Sequence, residues 1–124
     1  MTSTNAPILF RNTMRITDGH LEEYKAAIGK ALDFATEHGP QLAVEVFIDE
    51  DRMECTSFQL YADSDAVLRH WELADPYIQG VMEHCVVQDF EVFGDPDDRV
   101  RSGLRPETKF TPHLVGFHRL GGSA

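Results

Sequence analysis

The order in which extended and helical patterns alternate leaves this chain few folds. Residues 8 to 16, ILFRNTMRI, read as a strand with Ile8, Phe10, Asn12, Met14 and Ile16 on one face and Leu9, Arg11, Thr13 and Arg15 on the other. TDGHLEEY then starts a helix, with Asp18 or Thr17 as cap and Glu22 and Glu23 near its positive end. Leu21, Tyr24, Ile28, Ala31, Leu32 and Ala35 keep helical spacing. HGP at 38–40 ends the helix, with Gly39 suited to the left-handed position and Pro40 unable to continue. QLAVEVFI is a second strand, DEDR at 49–52 a turn, and MECTSFQLY the returning strand. ADSDAVLRHWEL restarts helix behind Ser64 or Asp63, and Pro76 should break or kink it, leaving PYIQGVMEHC as a further helical piece. VVQDFEVFG is a fourth strand, and DPDDR a solvated turn. Residues 97–124 read as an irregular tail containing one short extended candidate, HLVGFHRL.

Strand, helix, strand, strand, helix, strand is the ferredoxin-like βαββαβ unit, an α+β fold in which two helices cover one face of a four-stranded antiparallel sheet. LAVEVFI and VVQDFEVF carry bulky apolar residues at both parities: Leu42, Val44 and Val46 against Phe47, and Phe90 and Val92 against Phe93. Two helices cover only one face, so the other calls for a partner sheet, most simply a second copy of the chain. The expectation is a homodimer. Residues 1–7 read as a flexible N-terminus, 8–94 as the domain and 95–124 as a C-terminal extension.

At 124 residues the chain is one domain by size. Its net charge of -10 repels phosphate backbones and anionic lipid, which argues against nucleic-acid and membrane-surface partners. No apolar run reaches the length of a membrane span, and MTSTNAP lacks the layout of a signal peptide. A cytoplasmic protein is expected, with Cys55 and Cys85 as reduced thiols and no metal site.

Asn12 is the polar member of an otherwise apolar row, and a buried amide without partners costs a few kcal/mol. Either a backbone group or a trapped water satisfies it, or a ligand does. Trp71, at helical spacing with Val67, is either core or the flat wall of a pocket offering one N–H. Tyr77 presents its hydroxyl to a pocket or staples an interface. His70 and His84 have the chemistry of general bases near neutral pH, although His70 lies about 100° around the helix from Trp71. His113 and His118 fall on opposite sides of an extended segment and make a poor metal pair. No Gly-rich phosphate loop, GxSxG elbow or HExxH occurs.

Over residues 8 to 94 this layout resembles the antibiotic biosynthesis monooxygenase (ABM) type domain of the dimeric α/β-barrel superfamily. That group includes cofactor-independent oxygenases of aromatic polyketides, quinol monooxygenases and haem-degrading monooxygenases. NTMRITDG is similar to the first strand of the haem-degrading branch, where an Asn precedes the strand-to-helix Gly by the same seven residues that separate Asn12 from Gly19. HWELADPY is similar to that branch's helical segment, which puts Trp71 at the matching position. The departure is Val81, which stands where that branch has its iron-binding His, with His84 one turn further along.

The resemblance implies a dimeric α/β barrel and a pocket between helices and sheet for a small hydrophobic or aromatic ligand. The expected activity is a cofactor-independent monooxygenase acting on an electron-rich aromatic or quinol. Asn12, Trp71, His70 and His84 would do the chemistry, and Phe10, Met14, Val67, Tyr77 and Val81 would line the site. Nothing requires flavin, metal or nicotinamide. The alternatives are a haem-degrading enzyme, with haem as cofactor, and a non-catalytic ligand-binding or dimerisation module.

Overall fold

The computed structural model describes residues 6–120. It contains β1 (Ile8–Ile16), α1 (Leu21–His38), β2 (Ala43–Asp49), β3 (Glu54–Tyr61), α2 (Ser64–Met82), β4 (Cys85–Phe93), α3 (Asp98–Ser102) and β5 (Lys109–Thr111). The strands form one sheet in the order β2-β3-β1-β4-β5. All neighbours are antiparallel except β4 and β5, which run parallel.

Two features of that topology overturn the expected fold class. The sheet has five strands and a parallel pair, not four antiparallel strands, and α3 makes a third helix. The sheet is open, with β2 and β5 as its edges, and is not closed into a barrel. The reason lies in the segment after Gly94. A five-residue helix and a three-residue strand are too short to show a period in sequence, so capping and burial mark them instead. Asp97 caps α3 by accepting from the backbone N–H groups of Arg99 and Val100. Val100 is fully buried against Ile8, Phe10, Tyr61, Val67 and Val92.

Three local expectations also change. Helix α2 runs through Pro76 to Met82 without a break. Its N-cap is Asp63, whose carboxylate accepts from Ala66 N at 2.9 Å. Helix α1 starts behind His20, with no side-chain cap from Thr17 or Asp18; Gly19 takes the positive φ of 82° in the turn before it. Gly39 is extended, not left-handed. A Cβ there would lie 2.8 Å from the Ala35 carbonyl oxygen and would collide with the Gln41 side chain.

The inner face of the sheet follows the parity of β1. Phe10 sits opposite Gln59 and Val92, Asn12 opposite Ser57 and Phe90, and Met14 opposite Cys55 and Val87. A β-bulge in β4 makes this possible. Asp89 pairs with Thr13 and Val87 with Met14, so Gln88 is the extra residue. Without it, Cys85 and Val87 could not share an inner face with Phe90 and Val92.

Two buried clusters result, one at each end of β1. Ile8, Phe10, Tyr61, Val67, Val92 and Val100 form the first; Met14, Ile16, Tyr24, Cys55, Val81 and Cys85 form the second. Asn12 falls between them.

Beyond β5, residues 112–119 adopt no regular element. Leu114, Val115 and Phe117 stand in solvent there, and His113 and His118 belong to the same stretch. No helix among the described residues is long and apolar enough to cross a membrane.

Candidate functional site

Between the two clusters the inner face carries polar side chains, and helices α1 and α2 roof them over a cavity of about 230 Å³. Its floor is Phe10, Asn12 and Met14 of β1, flanked by Ser57 and Gln59 of β3 and Phe90 of β4. α2 contributes His70, Trp71 and Val81 to the roof, α1 contributes apolar side chains such as Leu32, and Gln41 enters from the loop before β2. A void of roughly 150 Å³ accommodates a benzene ring, so this one has room for a ring with substituents.

Asn12 Oδ1 is buried and meets no hydrogen-bond partner among the described residues. That oxygen therefore bears a desolvation cost of about 1–3 kcal/mol unless a ligand or solvent in the cavity serves it. Trp71 packs on the edge of the first cluster, and its position depends on α3. A Cβ on Gly103, the residue capping α3, would lie 2.7 Å from Trp71 Cζ3. Only glycine there leaves the indole its place.

His70 is half-buried, and its Nδ1 lies 2.9 Å from Gln41 Nε2. Burial disfavours the imidazolium and pushes its pKa below the usual 6.5. Tyr61, fully buried beside it, donates its hydroxyl proton to Gln59 Oε1 at 2.5 Å, and desolvation holds its phenol protonated far above the ordinary value. Gln59 Nε2 in turn reaches Ser57 Oγ at 3.5 Å.

Asn12, Trp71 and His70 thus line one cavity with Phe10, Met14 and Val81. His70 and Trp71 both line it despite the 100° between them around the helix. Val67, Tyr77 and His84 are not among the lining residues. Val67 is sealed in the first cluster, and Tyr77 stacks on Phe34 with ring centroids 4.6 Å apart. His84 pairs with His20, Nδ1 to Nδ1 at 3.0 Å, where the β1–α1 and α2–β4 connections meet. No group of three or more His, Cys, Asp or Glu side chains among the described residues is arranged to hold a metal ion.

Gln41, Ser57 and Gln59 were not anticipated as site residues. For two of them a signal was present. Ser57 and Gln59 share the parity of Cys55 and Tyr61, an inward face that alternation in β3 already implies.

No protein-family model matches the chain, and no curated protein matches it. Solved structures do. MupZ from Pseudomonas fluorescens superposes with a TM-score of 0.79 at 18% identity, over 93% of this chain and 96% of that one. SnoaB from Streptomyces nogalater, a cofactor-independent oxygenase, gives 0.61 at 13% identity over 73% and 94%. A protein of Bacteroides thetaiotaomicron, provisionally classed as an antibiotic biosynthesis monooxygenase, gives 0.61 at 21% identity over 73% and 88%. Residues 1–94 make up only about three quarters of the chain, so the likeness to MupZ must reach beyond Gly94. The chain has the fold of the solved antibiotic biosynthesis monooxygenase structures, and these likenesses do not single out a haem-degrading branch.

Proposed function

We propose that this protein is a cofactor-independent monooxygenase that oxidises an electron-rich aromatic, a phenol or quinol, held in the cavity between the helices and the sheet. The observation that carries the reading is the unpartnered Asn12 amide oxygen in an otherwise largely apolar cavity shared with Trp71 and His70. An apolar enclosure with a few convergent polar groups suits a flat aromatic with oxygen substituents. The fold shared with SnoaB, itself a cofactor-independent oxygenase, is consistent with it.

The chemistry needs no reductant from the protein. A phenolate or enolate is electron-rich enough to pass an electron to O2, and recombination at the ring carbon forms a C–O bond. Loss of water then leaves a quinone: one oxygen atom stays in the new carbonyl, and the other departs as water with two substrate hydrogens. The protein's tasks are to hold the anion, exclude water and orient the ring. The Asn12 amide and the Trp71 and His70 N–H groups are the candidates for binding the oxygens, with Phe10, Met14 and Val81 packing on the ring.

The reading includes a homodimer in the cytoplasm. The outer face of the sheet supports the dimer, because Leu9, Phe47, Phe58, Leu60 and Phe93 share it without a helix over them. Two free buried thiols, Cys55 and Cys85, suit a reducing compartment. A haem enzyme fits the residues less well. The position expected to supply the iron ligand is Val81, and His84 is engaged with His20 away from the cavity.

Oxygen uptake with a panel of naphthols, anthrones and quinols tests the reading. Consumption above the rate without protein, lost in Asn12→Leu, is expected. Tight binding of such compounds with no oxygen uptake would replace it with a non-catalytic binding module.

A further inference from the structure

The cavity's polar side chains form a hydrogen-bonded chain with a direction. Gln59 places its Nε2 3.5 Å from Ser57 Oγ and its Oε1 toward Tyr61. Tyr61 gives its only proton to that oxygen, at 2.5 Å. The Tyr61 oxygen can then only accept, and the side chain that approaches it is Gln41. An amide facing a spent hydroxyl must present nitrogen, since two acceptors turned toward each other repel. The same Nε2 lies 2.9 Å from His70 Nδ1, and Gln41 Oε1 is turned over Gly39, buried and without a hydrogen-bond partner among the described residues. An amide nitrogen donates and does not accept, so His70 Nδ1 is an acceptor and the neutral ring carries its hydrogen on Nε2.

We infer that Gln41 is a positioning residue that fixes the tautomer of His70, making it a hydrogen-bond donor through Nε2–H to an anionic ligand oxygen and not the base that creates the anion. This rests on the proposed function for its meaning, though not for its geometry. Its consequence concerns substrate class. Among the described lining residues His70 is the one titratable side chain; Tyr61 stands next to it but outside the lining, its proton given to Gln59. With its Nδ1 lone pair engaged, the cavity has no proton acceptor of its own. The substrate must therefore enter already ionised. That selects phenols or enols conjugated with a ring carbonyl, which are vinylogous acids, over simple phenols, which stay neutral at physiological pH. The step is binding only: the proton leaves to solvent before entry, the N–H groups of His70 Nε2, Asn12 Nδ2 and Trp71 receive the oxyanion, and Asn12 Oδ1 is left for a ligand hydroxyl or water.

Long-range 1H–15N correlation spectra of 15N-histidine-labelled protein, with His70 assigned by its loss in His70→Gln, read the tautomer directly. Wild type is expected to show Nδ1 as the unprotonated nitrogen. Gln41→Glu, whose carboxylate can only accept, should move the hydrogen to Nδ1; Gln41→Met should give a mixture. An Nδ1–H tautomer in wild type, or one unchanged pattern across all three proteins, overturns the inference. With 2-hydroxy-1,4-naphthoquinone, an enol ionised at neutral pH, as probe, wild type should bind more tightly than the uncharged Gln41→Met by about twofold, the share of that variant left in the wrong tautomer. Equal affinity in the two proteins would also count against it. Absence of oxygen uptake with a correct tautomer would instead sink the monooxygenase reading and leave this one standing.

Discussion

The two ends of β1 and its middle obey different rules. At the ends, inward side chains meet apolar neighbours: Ile8 faces Tyr61, and Ile16 faces Cys85. In the middle, Asn12 faces Ser57, and Gln59 stands in the next pair. The same strand therefore builds two dry clusters and a polar cavity simply by changing what stands at successive inward positions. The ends hold the sheet to its helices, which frees the middle to leave an amide oxygen unserved. Stability and binding are separated along one strand, a few residues apart.

If that division is real, an end substitution should cost folding and a middle substitution should cost binding. Ile16→Ala removes a side chain with no solvent exposure from the second cluster and should destabilise by about 2–5 kcal/mol in chemical denaturation. Ligand affinity in the surviving folded protein should be unchanged. A weaker effect would mean that the cluster collapses around the gap.

Gly103→Ala tests the boundary between regions, because it strikes Trp71 from the side of α3. A cost of about 1–3 kcal/mol is expected from the overpacking. The chain has a single Trp, so a shift in its emission reports the displacement without ambiguity. Unchanged emission would show that the cavity wall does not depend on α3.

Asn12→Leu is close to isosteric and removes the orphan oxygen. Stability should rise by about 1 kcal/mol while ligand binding falls. A fall in both would make Asn12 a structural residue and erase the contrast.

The smallest effect is a pH dependence. Burial lowers the folded pKa of His70 below 6.5, so below that pH the unfolded chain binds more protons than the folded one. This part of the stability is complete above pH 6.5 and is lost as the pH falls toward the lower folded value. His70→Gln should flatten that portion of the stability profile; an unaltered slope would show that His70 is not held neutral by its surroundings.

Much of the fold was legible because its six principal elements are long enough to show a period. What escaped was short or non-local. α3 is marked by one cap and one buried Val, and β5 by three residues, neither of which is a pattern in one dimension. Pro76 did not end α2, which continues to Met82 packed against α1 and the sheet. Asn12 was legible as an anomaly within a strict alternation. Ser57 and Gln59 were legible only as inward positions of β3; that they lie beside Asn12 and Phe10 comes from a strand pairing that parity suggests but does not specify. Gln41 sits in a loop, where no periodicity applies at all. His84 shows the reverse: a chemically apt residue that falls past the end of α2, in the turn before β4, where it meets His20.

The cavity also sets how the protein responds to compression. Unfolding eliminates the packing voids of the folded chain, so the unfolded state occupies less volume and hydrostatic pressure favours it. A molecule seated against Asn12 binds the folded chain alone and so stabilises it. Occupancy should therefore raise the pressure at which the protein unfolds, which makes the compressibility of this fold a reporter of its ligand even before the ligand has been identified.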